Sequence, residues 1–293
     1  MYEYSWYQWL LFFYFYCLIG WVIESAYVSI KSFHFVNRGF LRLPLLPLYG
    51  SGAILMLFLS LPVKGNLFLV FLLGMIGASI LEYATGSIME RLFKMKYWDY
   101  SSNPFNINGY ICLGTSIAWG FLTLLLTEVV HRPLEWLVLR FHATECIILV
   151  AGISVLFLVD TIRSTKEALD LGKVLESMTK IKAELDDVQV QIALLKAETA
   201  QKVSELKSGT LHKAATVKEE TIVKLTSLRA ETANVIKESS LAERLQSLTE
   251  AREKLAGRLS FYRKGILRRN PSASSLLFGE ALRELKERYK NKE

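Results

Sequence analysis

The sequence predicts an all-α fold: a polytopic membrane helix bundle of about five transmembrane helices followed by a long cytoplasmic coiled-coil tail. Three observations predict it. Apolar runs of crossing length crowd the first 162 residues, Lys/Glu alternation fills the remainder, and Lys and Arg gather on one side of the short connections. The runs lack the period-2 alternation of a barrel, and only a helix satisfies its own backbone in lipid.

A hydrocarbon core of about 30 Å needs about 20 helical residues. The first run, 5–23, has no Lys or Arg before it and no small-residue cleavage site after it, so it reads as a retained anchor and not a signal peptide. The second is 43–63, the third 65–81 with extension through Met89, and the fourth 101–127, beginning as a loop. The fifth, 141–162, is interrupted near its ends by Glu145 and Asp160. Lys31, Arg38, Arg42, Arg91, Lys94, Lys96, Arg163 and Lys166 fall on one side, against Lys64, Arg132 and Arg140 on the other. Positive residues stay in the cytoplasm, so the N-terminus is expected outside and the tail inside, in a multi-pass cell-membrane protein. Trp6 and Trp9 would then form an outer aromatic belt, and Tyr97, Trp98 and Tyr100 an inner one.

Three regions follow: a transmembrane domain over 1–162, a helical tail over 163–262, and a basic turn with an amphipathic helix over 263–293. In the tail, Val174, Met178, Ile181, Leu185, Val188, Ile192 and Leu195 alternate steps of four and three, the spacing of a coiled-coil seam. That seam predicts self-association or partner helices. From Glu198 the period changes to eleven, with units beginning at Glu198, Gly209, Glu220 and Glu231. Such a stripe runs nearly straight along a helix. It suits weak helix pairing, contact with an anionic membrane, or a solvated spacer. Gly209 and Gly257 are the available breakers if the helix folds back. Beyond the turn at 268–273, Leu276, Leu277, Leu282 and Leu285 are available for docking.

The formal net charge of +7 is spread over membrane-flanking loops and a mixed-sign helix, which argues against nucleic acid. Cys17, Cys112 and Cys146 sit in apolar stretches without CxxC spacing, giving neither a disulfide framework nor a metal site. No phosphate loop surrounds Gly172-Lys173, there is no HExxH or GxSxG, and the histidines are scattered. The chain is therefore not expected to be an enzyme or to carry a cofactor. A membrane hydrolase built on the inner carboxylates is the reserve reading.

Polar groups near one leaflet carry whatever function the bundle has. Glu24 lies toward the inner end of the first span, Glu82 and Glu90 on the inner part of the third, and Arg38, Arg42 and Asp99 in the loops. Acids at membrane depth are expensive, so they face the bundle interior, pair with a cation, or line a watery path. One reading is a cytoplasm-facing polar cavity with Glu24 and Glu82 as interior acids and Arg38 as counter-charge. The other is a set of interfacial side chains snorkelling to water.

Two loops carry distinctive runs. The first holds Asn37, Arg38 and Gly39 and leads into Pro47, Tyr49 and Gly50; the second holds Trp98, Asp99 and Tyr100, then Asn106, Asn108 and Gly109. With Glu24 and the Leu81-Glu82-Tyr83 run, these motifs resemble, in order and position, the membrane domain of the putative ABC-transporter type IV family over roughly residues 5–160. The resemblance implies a multi-pass permease-like membrane protein, and a permease of the ABC kind works with a separate ATPase subunit; these loop residues with Glu24 and Glu82 are the candidate binding residues. Leu43-Pro44 and Tyr110 depart from the family pattern of Gly-Pro and Arg, which weakens an anion-binding role for the second loop. The alternative is a membrane-anchored scaffold that oligomerises or recruits partners through its coiled coil.

Overall fold

The structure, a computed structural model, describes residues 4–209, 238–257 and 261–290. Every regular element among them is helical: α1 (Trp6–Ser32), α2 (Pro47–Ser60) continued by a 3-10 turn (Leu61–Val63), α3 (Leu67–Phe93), α4 (Leu113–Leu125), a π-helical turn (Leu126–Val130), α5 (His131–Leu139), α6 (Ala143–Gly209), α7 (residues 238–257), α8 (Phe261–Arg269) and α9 (Gly279–Lys290). The chain divides into two compact units, Met1–Lys173 with Ser260–Glu293, and Val174–Leu259.

In the first unit four helical segments are long and apolar enough to cross a membrane: Trp6–Ser32, Leu67–Phe93, Leu113–Leu139 and the helix beginning at Ala143. The second expected span, 43–63, is shorter. Pro47–Val63 is an apolar helix of less than crossing length, about 25 Å at 1.5 Å per residue. It starts late because the chain after α1 turns back along it. Leu46 N donates to the Cys17 carbonyl in the middle of α1 (3.0 Å), and Leu41 and Leu45 are buried there.

Irregular backbone at such depth persists only where its polar groups find partners. Here they do. Val36 N donates to Ser29 Oγ (2.9 Å), Arg38 N to Ser25 Oγ (3.1 Å), and Asn37 Nδ2 to the Arg42 carbonyl (2.9 Å). Asp160, on α6, accepts from both Arg42 N and Leu43 N at 2.9 Å. The acid that interrupts the last apolar run is thus the clasp of the α1–α2 loop. Asp160→Ala should unpair two amides and destabilise the unit by about 2–4 kcal/mol, and Asp160→Asn by less because its amide oxygen still accepts. Thermal unfolding in micelles measures both.

The fourth span also shifts. Residues 101–112 form a loop, and the helix runs from Leu113 to Leu139 instead of ending near Thr127. Thr115 Oγ1, accepting from Cys112 N (3.2 Å), starts it. Glu128 and Arg132, paired at 3.2 Å one turn apart, let it continue through two charges. Helix α3 starts where Asn66 Oδ1 accepts from Phe68 N and Leu69 N, and ends at Lys94 in the left-handed region. Gly50 makes the α1–α2 contact possible: a Cβ there would lie 2.8 Å from the Phe13 carbonyl oxygen and against Cys17 Sγ.

In the second unit, Val174, Met178, Leu185, Val188 and Leu195 are buried and Ile181 and Ile192 half-buried, while Glu184, Asp187 and Gln191 are exposed. The ion pairs Glu184–Arg244 (3.9 Å) and Lys196–Glu238 (3.6 Å) place α7 antiparallel beside α6. Most of the eleven-residue repeat lies outside the described residues.

Candidate functional site

Helix α2 packs against both α1 and α3, and α4 against α3, which brings Glu24 and Glu82 into one polar cluster. Glu82 is buried on α3, with Oε1 accepting from Tyr100 Oη (3.2 Å) and Oε2 from Trp119 Nε1 (2.9 Å). Glu24, half-buried on α1, accepts from Tyr49 Oη (3.1 Å), and the Tyr49 ring lies 5.6 Å from that of Trp119. Tyr100 joins the two acids: burial and then the charges of Glu82 and Glu24 hold its hydroxyl well above the usual phenol range. Burial pulls the Arg38 guanidinium below its ordinary value, and the Glu24 charge is the main opposing influence. Five of the expected residues, Glu24, Arg38, Tyr49, Glu82 and Tyr100, therefore share one site.

Most of the others shape the loops. Asn37 Oδ1 accepts from Trp21 Nε1 (2.7 Å). Trp98 Nε1 donates to the Tyr110 carbonyl (2.9 Å), Asn106 Nδ2 to the Ser101 and Asn103 carbonyls, and Asn108 Nδ2 to Tyr83 Oη (3.0 Å). Gly109 has φ +71° and donates to Asn106 Oδ1 (3.2 Å); a Cβ there would press on Asp99 and Ser101. Gly50 serves helix packing, as above.

Asp99 and Gly39 touch a segment from the far end of the sequence. Lys96 and Ser274 exchange both backbone hydrogen bonds (2.8 and 3.0 Å), Ser274 Oγ donates to Asp99 Oδ2 (2.6 Å), and Ser275 Oγ to the Lys94 carbonyl (2.8 Å). Arg38 Nη1 donates to Asn270 Oδ1 (2.6 Å) and Nη2 to the Tyr97 carbonyl (3.1 Å), while Asn270 Nδ2 donates to the Gly39 carbonyl (3.1 Å). Lys286 Nζ closes the turn on the Pro271 and Ala273 carbonyls, and burial followed by the Arg38 charge lowers its pKa. Of the four leucines available for docking, Leu282 and Leu285 are buried and Leu276 and Leu277 exposed.

Burial raises the Asp99 pKa, but hydrogen bonds from Ser101 and Ser274 and the Lys96 charge outweigh it, leaving the carboxyl below its usual range. Its stabilisation is complete above the unfolded value, about pH 4, and is lost as pH falls through the depressed one. Amide-exchange protection at Lys96 and Ser274 should drop in acid, and Asp99→Asn should remove that dependence.

Residue-by-residue reading missed a buried line on the fourth span. Trp119, Thr123, Thr127, His131 and Glu135 recur every four residues, and Thr123, Thr127 and His131 are buried. His131 meets Tyr16 Oη at Nδ1 (2.7 Å) and Tyr4 Oη at Nε2 (3.2 Å), and Tyr4 also donates to Glu135. The line leads from the Glu82 cluster toward the opposite end of the bundle. The i, i+4 recurrence of polar residues inside an apolar helix was the available signal. Among the described residues no His, Cys, Asp and Glu group could hold a metal ion.

Four apolar helices of crossing length, with the buried acid Glu82 on one of them, mark the chain as a multi-helix membrane protein. Within that class the chain belongs to the putative ABC-transporter type IV family, whose sequence profile matches residues 11–165. No curated protein and no solved structure matches it.

Proposed function

We propose that the chain is a permease-like component of a membrane transport system, in which Glu24 and Glu82 hold a cation or a cationic group of the cargo. The observation that carries this is Glu82, an acid buried at membrane depth with each oxygen on a fixed donor and Glu24 sharing its surroundings. Glu24 faces the Arg38 guanidinium, while Glu82 accepts from two neutral donors, so the cluster has a place for one further positive charge. A cation supplies it, and membrane-embedded acids serve ion and proton paths for this reason. The line from Trp119 to His131 supports continuation of the path across the bundle. The positive-inside distribution supports a topology with the N-terminus outside and the Arg38 and Asp99 loops inside. The chain itself is non-enzymatic in this reading, and energy enters from a separate ATPase subunit. The tail seam joins partner helices or a second copy.

Thiol labelling tests it. In a background with Cys17, Cys112 and Cys146 replaced by Ala, Gly65→Cys and Ser102→Cys report the two faces, and Glu24→Cys and Glu82→Cys report water in the cluster. An impermeant maleimide should reach Gly65→Cys from outside, and Ser102→Cys and Glu24→Cys only after permeabilisation. Complete protection at both acidic positions would mean dry packing and overturn the permease reading.

A further inference from the structure

A second polar site lies outside the acidic cluster. A recess of about 740 Å³ opens beside the last turn of α3, lined by Arg91, Lys94, Asn106, Asn108, Tyr110 and Ser275 among others, with Leu276 and Leu277 at its rim. That volume exceeds the needs of a bare ion and suits a small organic group.

Its charge is positive and largely uncommitted. Arg91 and Lys94 are exposed, and neither has an acid partner among the described residues. The acid in the lining, Glu90, is occupied: Tyr110 Oη donates to it at 2.5 Å, and burial and then this bond push the phenol up to about 12. Lys96 is also in the lining but is buried and committed to the Asn108 carbonyl (2.7 Å), the Tyr110 ring (4.9 Å) and Asp99 (3.9 Å). The second loop thus contributes shape, while the free cations are Arg91 in the last turn of α3 and Lys94 just after it.

The site also straddles an apolar boundary. Leu276 and Leu277 are 76% and 79% exposed, adjacent in sequence and beside the cations. On α3, Ile88 and Leu92 are exposed at i−3 and i+1 from Arg91, so apolar and basic side chains share the end of one span. Paired leucines among basic side chains at the end of a crossing helix form the arrangement that meets a bilayer, with leucines among acyl chains and cations at phosphate depth. The C-terminal end of α3 carries the negative pole of the helix dipole, so an anion is held there by side-chain charge alone.

We propose that this recess is a headgroup site for an anionic phospholipid, with Arg91 and Lys94 on the phosphate and Leu276 and Leu277 inserted beside the acyl chains. A bound lipid would span α3, the second loop and the 275–278 segment, and so would hold the C-terminal segment on the loops.

The test uses the full chain, purified and delipidated in neutral micelles, with the unfolding midpoint followed against phosphatidylglycerol, phosphatidylcholine and inorganic phosphate. Phosphatidylglycerol should raise the midpoint saturably and phosphatidylcholine should not. Arg91→Gln with Lys94→Gln should weaken apparent affinity about thirty-fold, from about five-fold per basic side chain near an anionic surface. Arg91→Lys with Lys94→Arg should keep the response, as should Arg140→Gln at a distant position. Leu276→Ser with Leu277→Ser should weaken the lipid response. An equal shift with phosphatidylcholine, or an unchanged one in the charge-neutralised pair, would overturn the site. A full response to inorganic phosphate alone would overturn the lipid assignment.

Discussion

Glu82→Gln is expected to leave the bundle as stable as the parent, Glu82→Leu to destabilise it by about 2–4 kcal/mol, and both to abolish transport. The difference follows from the donors around the carboxylate. Trp119 Nε1 can only donate, whereas Tyr100 Oη can donate or accept. A Gln side chain satisfies both, taking the indole N–H on its oxygen and giving its amide N–H to the tyrosine. It also removes a buried charge, which offsets any loss of bond strength. Leu conserves volume but leaves the indole and phenol unpaired, at about 1–3 kcal/mol each. Thermal unfolding in micelles separates the two. If Gln proved as damaging as Leu, the carboxylate charge would be structural, paired with Arg38, and the transport reading would lose its main support.

Much of this site was legible because membrane depth makes polar residues conspicuous. Glu24 and Glu82 stand out in apolar runs, Arg38 is a nearby cation in a Gly- and Pro-rich loop, and the structure brings all three together. The re-entrant path of the first loop was legible from the same Gly and Pro spacing, but its consequence was not. Counting apolar residues from Leu43 makes a full span, whereas the backbone reaches the level of Cys17 before α2 begins. The fourth span slipped for a similar reason. Uncharged residues 101–112 look like membrane in composition, but their side-chain bonds to backbone make a loop, and the Glu128–Arg132 pair hides a helix that continues.

In the tail, the buried side chains Val174, Met178, Leu185, Val188 and Leu195 fall on the expected heptad positions, a local period that sequence displays, although Leu175 is buried off that line. Long-range partners have no such signal. Nothing about Asn270 in a basic turn indicates that it meets Gly39 and Arg38, over 230 positions away. Likewise Asp160 reads as an interruption until its two backbone donors are seen.

Arg38→Ala should release the C-terminal segment and destabilise the first unit by about 3–5 kcal/mol. The guanidinium serves two neighbourhoods at once: it is the cation beside Glu24, and it is the fork that holds Asn270 Oδ1, the Tyr97 carbonyl and Ser272 Oγ. Removing it leaves acceptors unpaired in a buried turn and an acid without its counter-charge. Lys cannot substitute well, because one ammonium cannot reach the divergent acceptors that a planar fork spans. Tryptic cleavage at Arg268 and Arg269, beside this contact, gives the readout. A loss of about 3 kcal/mol in docking corresponds to cleavage roughly a hundred-fold faster if opening precedes proteolysis. Asn270→Ala should accelerate cleavage in the same direction, and the double variant should add little to Arg38→Ala because both remove one contact. Full additivity would separate them: Arg38 would then act through Glu24, with the segment held mainly by the Lys96–Ser274 backbone pair and the Asp99–Ser274 hydrogen bond.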